Sequence, residues 1–111
     1  MTDTEITRHL AEKVMGWQIN ETIPGFPAVR LPDGTCRALG GIGWKPLADP
    51  RDCAMVMGKL RERGYEWNIG HSVDNAYAEV LADNHVYEVD DQPTWLRALC
   101  LAAYKASGGE L

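Results

Sequence analysis

Three cysteines, Cys36, Cys53 and Cys100, stand far apart in this chain, and no CxxC pair is present. An odd, scattered set builds neither a disulfide framework nor a thiolate zinc site, and it fits a reducing cytoplasm. Cys53 and Cys100 fall in apolar helical patterns and are expected in the core. Clustered Lys and Arg are also lacking: 11 basic residues face 16 acidic ones, for a net charge of −5, and neither sign forms a block. A groove that follows a nucleic-acid backbone must neutralise several phosphates at once, so direct DNA or RNA binding is not expected. No long apolar run occurs; "ALCLAAY" near the C-terminus is far too short to cross a bilayer. The opening "MTDTEITRHLAEK" is polar and has no apolar h-region, so no secretory signal is expected. Ser72 and Ser107 are the only serines, and neither lies in a GxSxG elbow. Internal repeats, linkers and low-complexity stretches are missing too, so residues 1–111 are read as one domain.

What is present describes an ordered globule. Hydrophobic residues make up 45% and charged residues 24% of the 111, close to ordinary soluble proteins. A chain of this length buries roughly two-thirds of its unfolded surface in a single core. In "TDTEITRHLAEKVMG", Ile6, Leu10 and Val14 recur at spacing four. This predicts an amphipathic helix ending at Gly16, with Thr2, Asp3 or Thr4 as N-cap. The next stretch carries Pro24, Pro27 and Pro32 with the turn signals "PG" and "PDG". It excludes helix and leaves short extended pieces near Trp17 to Ile19 and Ala28 to Leu31. Cys53, Val56, Met57 and Leu60 then mark a second amphipathic helix, with Arg61 and Arg63 at the end the macrodipole favours and Gly58 inside as a sign of close helix-to-sheet approach. From Tyr65 the period changes to two: "YEWNIGH", "AYAEVLA" and "HVYEV", separated by "SVDN" and "DN", predict an antiparallel meander with one face buried. A third helix, opened by Trp95 after Pro93 and closed near Gly108, is apolar over more than one stripe and should be well buried. Helices on a small, mostly antiparallel sheet give an α+β fold, a three-layer α-β-α sandwich with three helices.

The stretch "LGGIGWKPLADPRD", residues 39 to 52, looks most like chemistry. It matches neither GxxxxGK[ST] nor GxGxxG, since Gly41-Ile42-Gly43 is followed by Trp44-Lys45-Pro46. Asp49 and Asp52 already occupy the positive helix end where an anion would dock. Asp49 is the expected N-cap, Pro50 suits N1, and Asp52 at N3 is expected to return a bond as in a capping box. Trp44 then seats the loop on the core.

No reactive constellation emerges, so neither an enzymatic activity, a metal nor a cofactor is expected. His9, His71 and His85 have no second histidine at ligand spacing. His71 with Asp74 and Asp83 with His85 are pairs that chance supplies in an acidic chain; a hydrolase built on them is the weakest reading. Aromatic residues are core first and interface anchors second. Arg37, Trp44, Lys45 and Trp67 are the candidates for touching a ligand or partner.

Three segments together, "LAEKVMGW", "WKPLADPRDCAMVMGKL" and "LRALCLAAYKA", resemble in order and spacing the phage α-β-α sandwich domain family of small bacteriophage proteins. The resemblance rests on Leu10 to Trp17, Trp44, Pro46, Asp49, Asp52 and Ala98 to Ala106. It implies phage or prophage origin, the host cytoplasm and the sandwich fold, and it brings no catalytic motif. The expected function is a non-enzymatic accessory protein that binds a host or phage protein, with self-association through the last helix or an edge strand as a further expectation and no membrane contact. The alternative is a small-ligand protein that sequesters a nucleotide or signalling molecule at Arg37, Trp44 and Lys45.

Overall fold

A computed structural model describes residues 2–21, 27–40 and 43–110. The "PG" turn signal at 24–25 and the Gly41-Ile42 step lie outside them. The first helix, α1, spans Asp3–His9 and is capped by the Thr2 hydroxyl, which accepts the Glu5 N–H at 3.2 Å. It continues as a π-helical segment over Leu10–Val14, marked by the Met15 N–H donating to the Leu10 carbonyl at 2.9 Å. The expected stripe of Ile6, Leu10 and Val14 is buried, and the wider π turn brings Ala11 in beside it. Gly16, at φ +73°, then reverses the chain.

Three short strands follow, β1 (Gln18–Asn20), β2 (Ala28–Arg30) and β3 (Cys36–Ala38), in an antiparallel sheet of order β1-β2-β3. The first two fall where extended pieces are predicted; β3 is an addition. Between β2 and β3 the Asp33 carboxylate accepts both the N–H and the hydroxyl of Thr35, at 2.9 and 2.6 Å, which holds its pKa below the ordinary value. Helix α2 (Pro50–Glu62) starts from Asp49, whose carboxylate accepts the Arg51 N–H at 2.9 Å, with Pro50 in the first turn. Gly58 faces open space, with nothing within 4 Å of an added Cβ, so the close helix-to-sheet approach expected there does not occur.

The predicted meander is β4 (Glu66–His71), β5 (Ala76–Ala82) and β6 (His85–Gln92), in that order and antiparallel. Asp83 and Asn84, both at positive φ (52° and 63°), form the two-residue turn between β5 and β6. Helix α3 (Trp95–Ala106) starts from Thr94, whose hydroxyl accepts the Arg97 N–H at 3.2 Å. One side of α3 covers the inner face of the meander, and the other meets α2 and the π segment. That double cover explains why its buried set, from Leu96 through Tyr104, exceeds one stripe.

The fold is an α+β sandwich of three helices and antiparallel strands, the class predicted, but α3 covers only the inner face of the meander and the outer face carries no helix of the described chain. Its strands divide into two three-stranded sheets rather than one, because β1–β3 are too short and too broken by proline to extend the meander. On the meander the register puts Trp67, Val80 and Tyr87, with Ile69, Ala78 and Val89, on the inner face. Glu66, Asn68, Tyr77, Glu79, Leu81, Val86 and Glu88 take the outer face, most of them exposed.

Candidate functional site

The glycine-rich loop closes on the molecule rather than on a ligand. The Trp44 N–H donates to the Ala38 carbonyl and the Gly40 N–H to the Trp44 carbonyl, both at 2.8 Å, so the loop is laced to the end of β3. At Gly43 an added Cβ would lie 2.0 Å from the Ala38 carbonyl oxygen, so only glycine fits that approach. Trp44 is 0% exposed and meets Trp17 edge-on at 4.9 Å, while its Nε1–H has no partner among the described residues. This corrects its place among the ligand-binding candidates: it has no surface to offer. Its other expected role, seating the loop on the core, is what burial of this side chain provides.

Asp52 is corrected as well. The Asp49 N–H that a capping box would use is already donated to the Lys45 carbonyl at 2.9 Å. Asp52 turns instead toward the loop, where it is buried and accepts Arg37 Nη1 and Nη2 at 3.2 and 3.3 Å and the Lys45 N–H at 2.9 Å. The Arg37 guanidinium also approaches the Gly43 carbonyl at 3.4 Å. Charge-assisted bonds of this kind contribute about 1.5–3 kcal/mol each. Arg37 and the Lys45 backbone are thereby part of a clamp that fixes β3, the loop and α2. The Lys45 side chain lies beside a separate cleft with Thr4, Thr7 and Leu47.

Trp67 lies elsewhere, on β4, where the Arg61 guanidinium sits 5.3 Å from its ring centroid. With Gly64, Tyr65, Glu66 and Asn68 these two line an open groove of about 520 Å³ between the end of α2 and β4. The four candidates therefore do not converge: Arg37 and the Lys45 backbone share the clamp, the Lys45 side chain lies at a separate cleft, Trp44 is buried in the core, and Trp67 belongs to another surface.

The titratable groups form no catalytic arrangement among the described residues. No hydrogen bond joins His71 to Asp74 or Asp83 to His85; the His85 ring lies tilted by 45° against that of Tyr87, centroids 4.6 Å apart. His9 Nε2 and Ser107 Oγ are 2.9 Å apart, but the Ser107 hydroxyl donates to the Ala103 carbonyl at 2.8 Å. The imidazole N–H is thus the donor in that pair, the reverse of what activates a serine. Burial lowers the His9 pKa, and Lys13 adds to the effect against the contact with Ser107. Cys53 and Cys100 are buried as expected, their sulfurs 3.9 Å apart; that contact and burial push the Cys100 thiol well up. Among the described residues no group of three or more His, Cys, Asp and Glu can hold a metal ion, and no helix is long and apolar enough to cross a membrane.

The surface that sequence reasoning passed over is the outer side of the meander. Residues 65–92 contain Glu66, Asp74, Glu79, Asp83, Glu88, Asp90 and Asp91 and no Lys or Arg. The three exposed large hydrophobic residues of the described chain fall in the same span: Tyr77 and Val86 on that face, at 49% and 47% exposure, and Val73, at 99%, in the turn between β4 and β5. The signal was a 28-residue span without a basic side chain, which is invisible when charge is sought only as a block.

No family model matches the chain, and no curated protein matches it. Among solved structures, a phage protein from Bacillus cereus ATCC 14579 is similar, with a TM-score of 0.74 and 17% sequence identity over 100% of this chain and 92% of that one. At that identity the likeness establishes a shared fold.

Proposed function

We propose that this chain is a phage-encoded, non-enzymatic accessory protein of the host cytoplasm that acts by binding a host or phage protein through the outer side of its meander. The observation that carries the reading is the one-sided cover of that sheet. A sheet face bearing Tyr77, Leu81 and Val86 among carboxylates, with its helices all on the other side, has the mix of apolar and polar groups that protein interfaces use. The fold shared with a phage protein supports the source, and three unpaired thiols are in keeping with a reducing compartment. The small-ligand alternative loses its residues, since Trp44 is buried and Arg37 is paired to Asp52.

A photo-crosslinking amino acid in place of Tyr77, compared with one in place of Lys13 on the helical side, tests the reading in host cells during infection. A discrete protein adduct from position 77 that is missing from position 13 is expected. No adduct, or the same adducts from both positions, would sink it.

A further inference from the structure

The two edges of the meander are not equivalent. Each strand residue directs both backbone groups to one neighbour, and successive residues alternate between neighbours. The two-residue turn at Asp83-Asn84 makes Ala82 and His85 a hydrogen-bonded pair, so Val80 with Tyr87 and Ala78 with Val89 follow. Leu81, Glu79 and Tyr77 are left to bond Glu66, Asn68 and Gly70 of β4. The Ser72 N–H donating to the Asn75 carbonyl at 2.8 Å, two residues further along the same ladder, agrees with that phase. Trp67, Ile69 and His71 therefore direct their N–H and C=O groups away from the sheet, and no hydrogen bond takes them up among the described residues.

At the opposite edge the same alternation turns Val86 and Glu88 outward. There Lys105 of α3 donates its ammonium to the Glu88 carbonyl at 2.8 Å. Asp91, at φ +61°, and a register shift at Ala76/Ala78 distort that edge further. One edge is blunted in the manner natural sheets use against strand addition, and the other is open. The open edge forms one wall of the groove between α2 and β4.

We infer that β4 is the docking edge, and that it takes an extended segment of a partner protein in which Lys or Arg alternates with apolar residues. The inference rests on the protein-binding reading above and adds the partner's chemistry. On the outer face an added strand lies beside Glu66, with Glu79 one strand further in, which calls for cationic side chains. On the inner face it lies beside half-buried Trp67 and Ile69, where the Arg61 guanidinium already covers the indole and repels a second cation. That face calls for apolar side chains. A second copy is the poorer occupant, because joining two meanders edge to edge adds one acidic span to another, with no Lys or Arg between residues 65 and 92 of either to offset the charge.

The test uses the full chain and a blocked nonapeptide alternating valine and lysine, with amide hydrogen exchange read residue by residue. Exchange at Trp67, Ile69 and His71 is expected to slow at least tenfold on addition of the peptide. A peptide of the same composition in two blocks, or one with glutamate for lysine, should leave it unchanged. Glu66→Lys should weaken binding at least fivefold; Trp67→Pro removes an N–H that the internal ladder does not use and should abolish the protection. Protection at other residues, equal binding of the blocked-order peptide, or protection of the same amides in a peptide-free dimer would overturn the inference. A crosslink from position 77 together with failure here removes only the edge and its partner chemistry; failure of both removes the binding reading itself.

Discussion

At Gly43 a methyl group would collide with the Ala38 carbonyl oxygen at 2.0 Å, whereas at Gly58, fifteen residues on, it would meet nothing within 4 Å. Gly43→Ala should therefore destabilise the protein by about 1–3 kcal/mol through overpacking against backbone. Gly58→Ala, in an exposed helix interior, should stabilise it by about 0.5–1 kcal/mol. Urea denaturation midpoints of the two variants decide the matter, and a Gly43→Ala midpoint no lower than the wild type's would refute the loop geometry. Asp52 shows a related contrast between position and use. Its place three residues after an N-cap suggests a capping bond, yet the donor for that bond is spent on Lys45, and a strand residue fifteen positions upstream takes the carboxylate instead. The pairing turns a helix start into the anchor of a loop.

Between elements, α1 is held to α3 at both ends. Arg97 reaches Asp3 at 2.6 Å, and His9 meets Ser107 at 2.9 Å and the Tyr104 ring edge-on at 4.5 Å. Because the folded-state pKa of His9 lies below its ordinary 6.5, the unfolded chain takes up the proton first as the solution is acidified. Its contribution is intact above about pH 6.5 and is lost as the pH falls through the folded value. His9→Gln keeps an N–H for Ser107 and cannot titrate, so its melting temperature should fall less than the wild type's between neutral pH and mild acid. Parallel curves would show that His9 is not the group responsible. The elements themselves were legible wherever periodicity or capping is local: the stripe from Ile6 to Val14, the Asp49 cap, the alternation from Tyr65. The π turn was not, because over five residues its period barely departs from that of an α-helix. Strand β3 has only three residues and too little alternation to announce itself. Trp44 and Trp67 look alike in the sequence, and only tertiary packing buries one in the core and sets the other at a groove.

Across the whole molecule, charge and reactivity are both segregated. Outside residues 65–92 the 11 basic side chains outnumber the nine remaining acidic ones, so the meander carries the chain's excess of negative charge. Of the three cysteines, Cys36 is exposed while Cys53 and Cys100 are sealed between α2 and α3. A thiol reagent such as Ellman's disulfide should therefore titrate one group in the native protein and all three after unfolding; rapid reaction of three native thiols would contradict the packing of those helices. Lys105 has a consequence at this scale too. Copies of a sheet protein can stack without end only if the open strand of one finds a receptive strand of a different kind on the next, so that each addition leaves the same vacancy behind it. Here the second strand is occupied by a lysine from the molecule's own last helix. Lys105 on the Glu88 carbonyl, together with the left-handed Asp91 and the register shift beside it, thus blunts the second edge against such stacking.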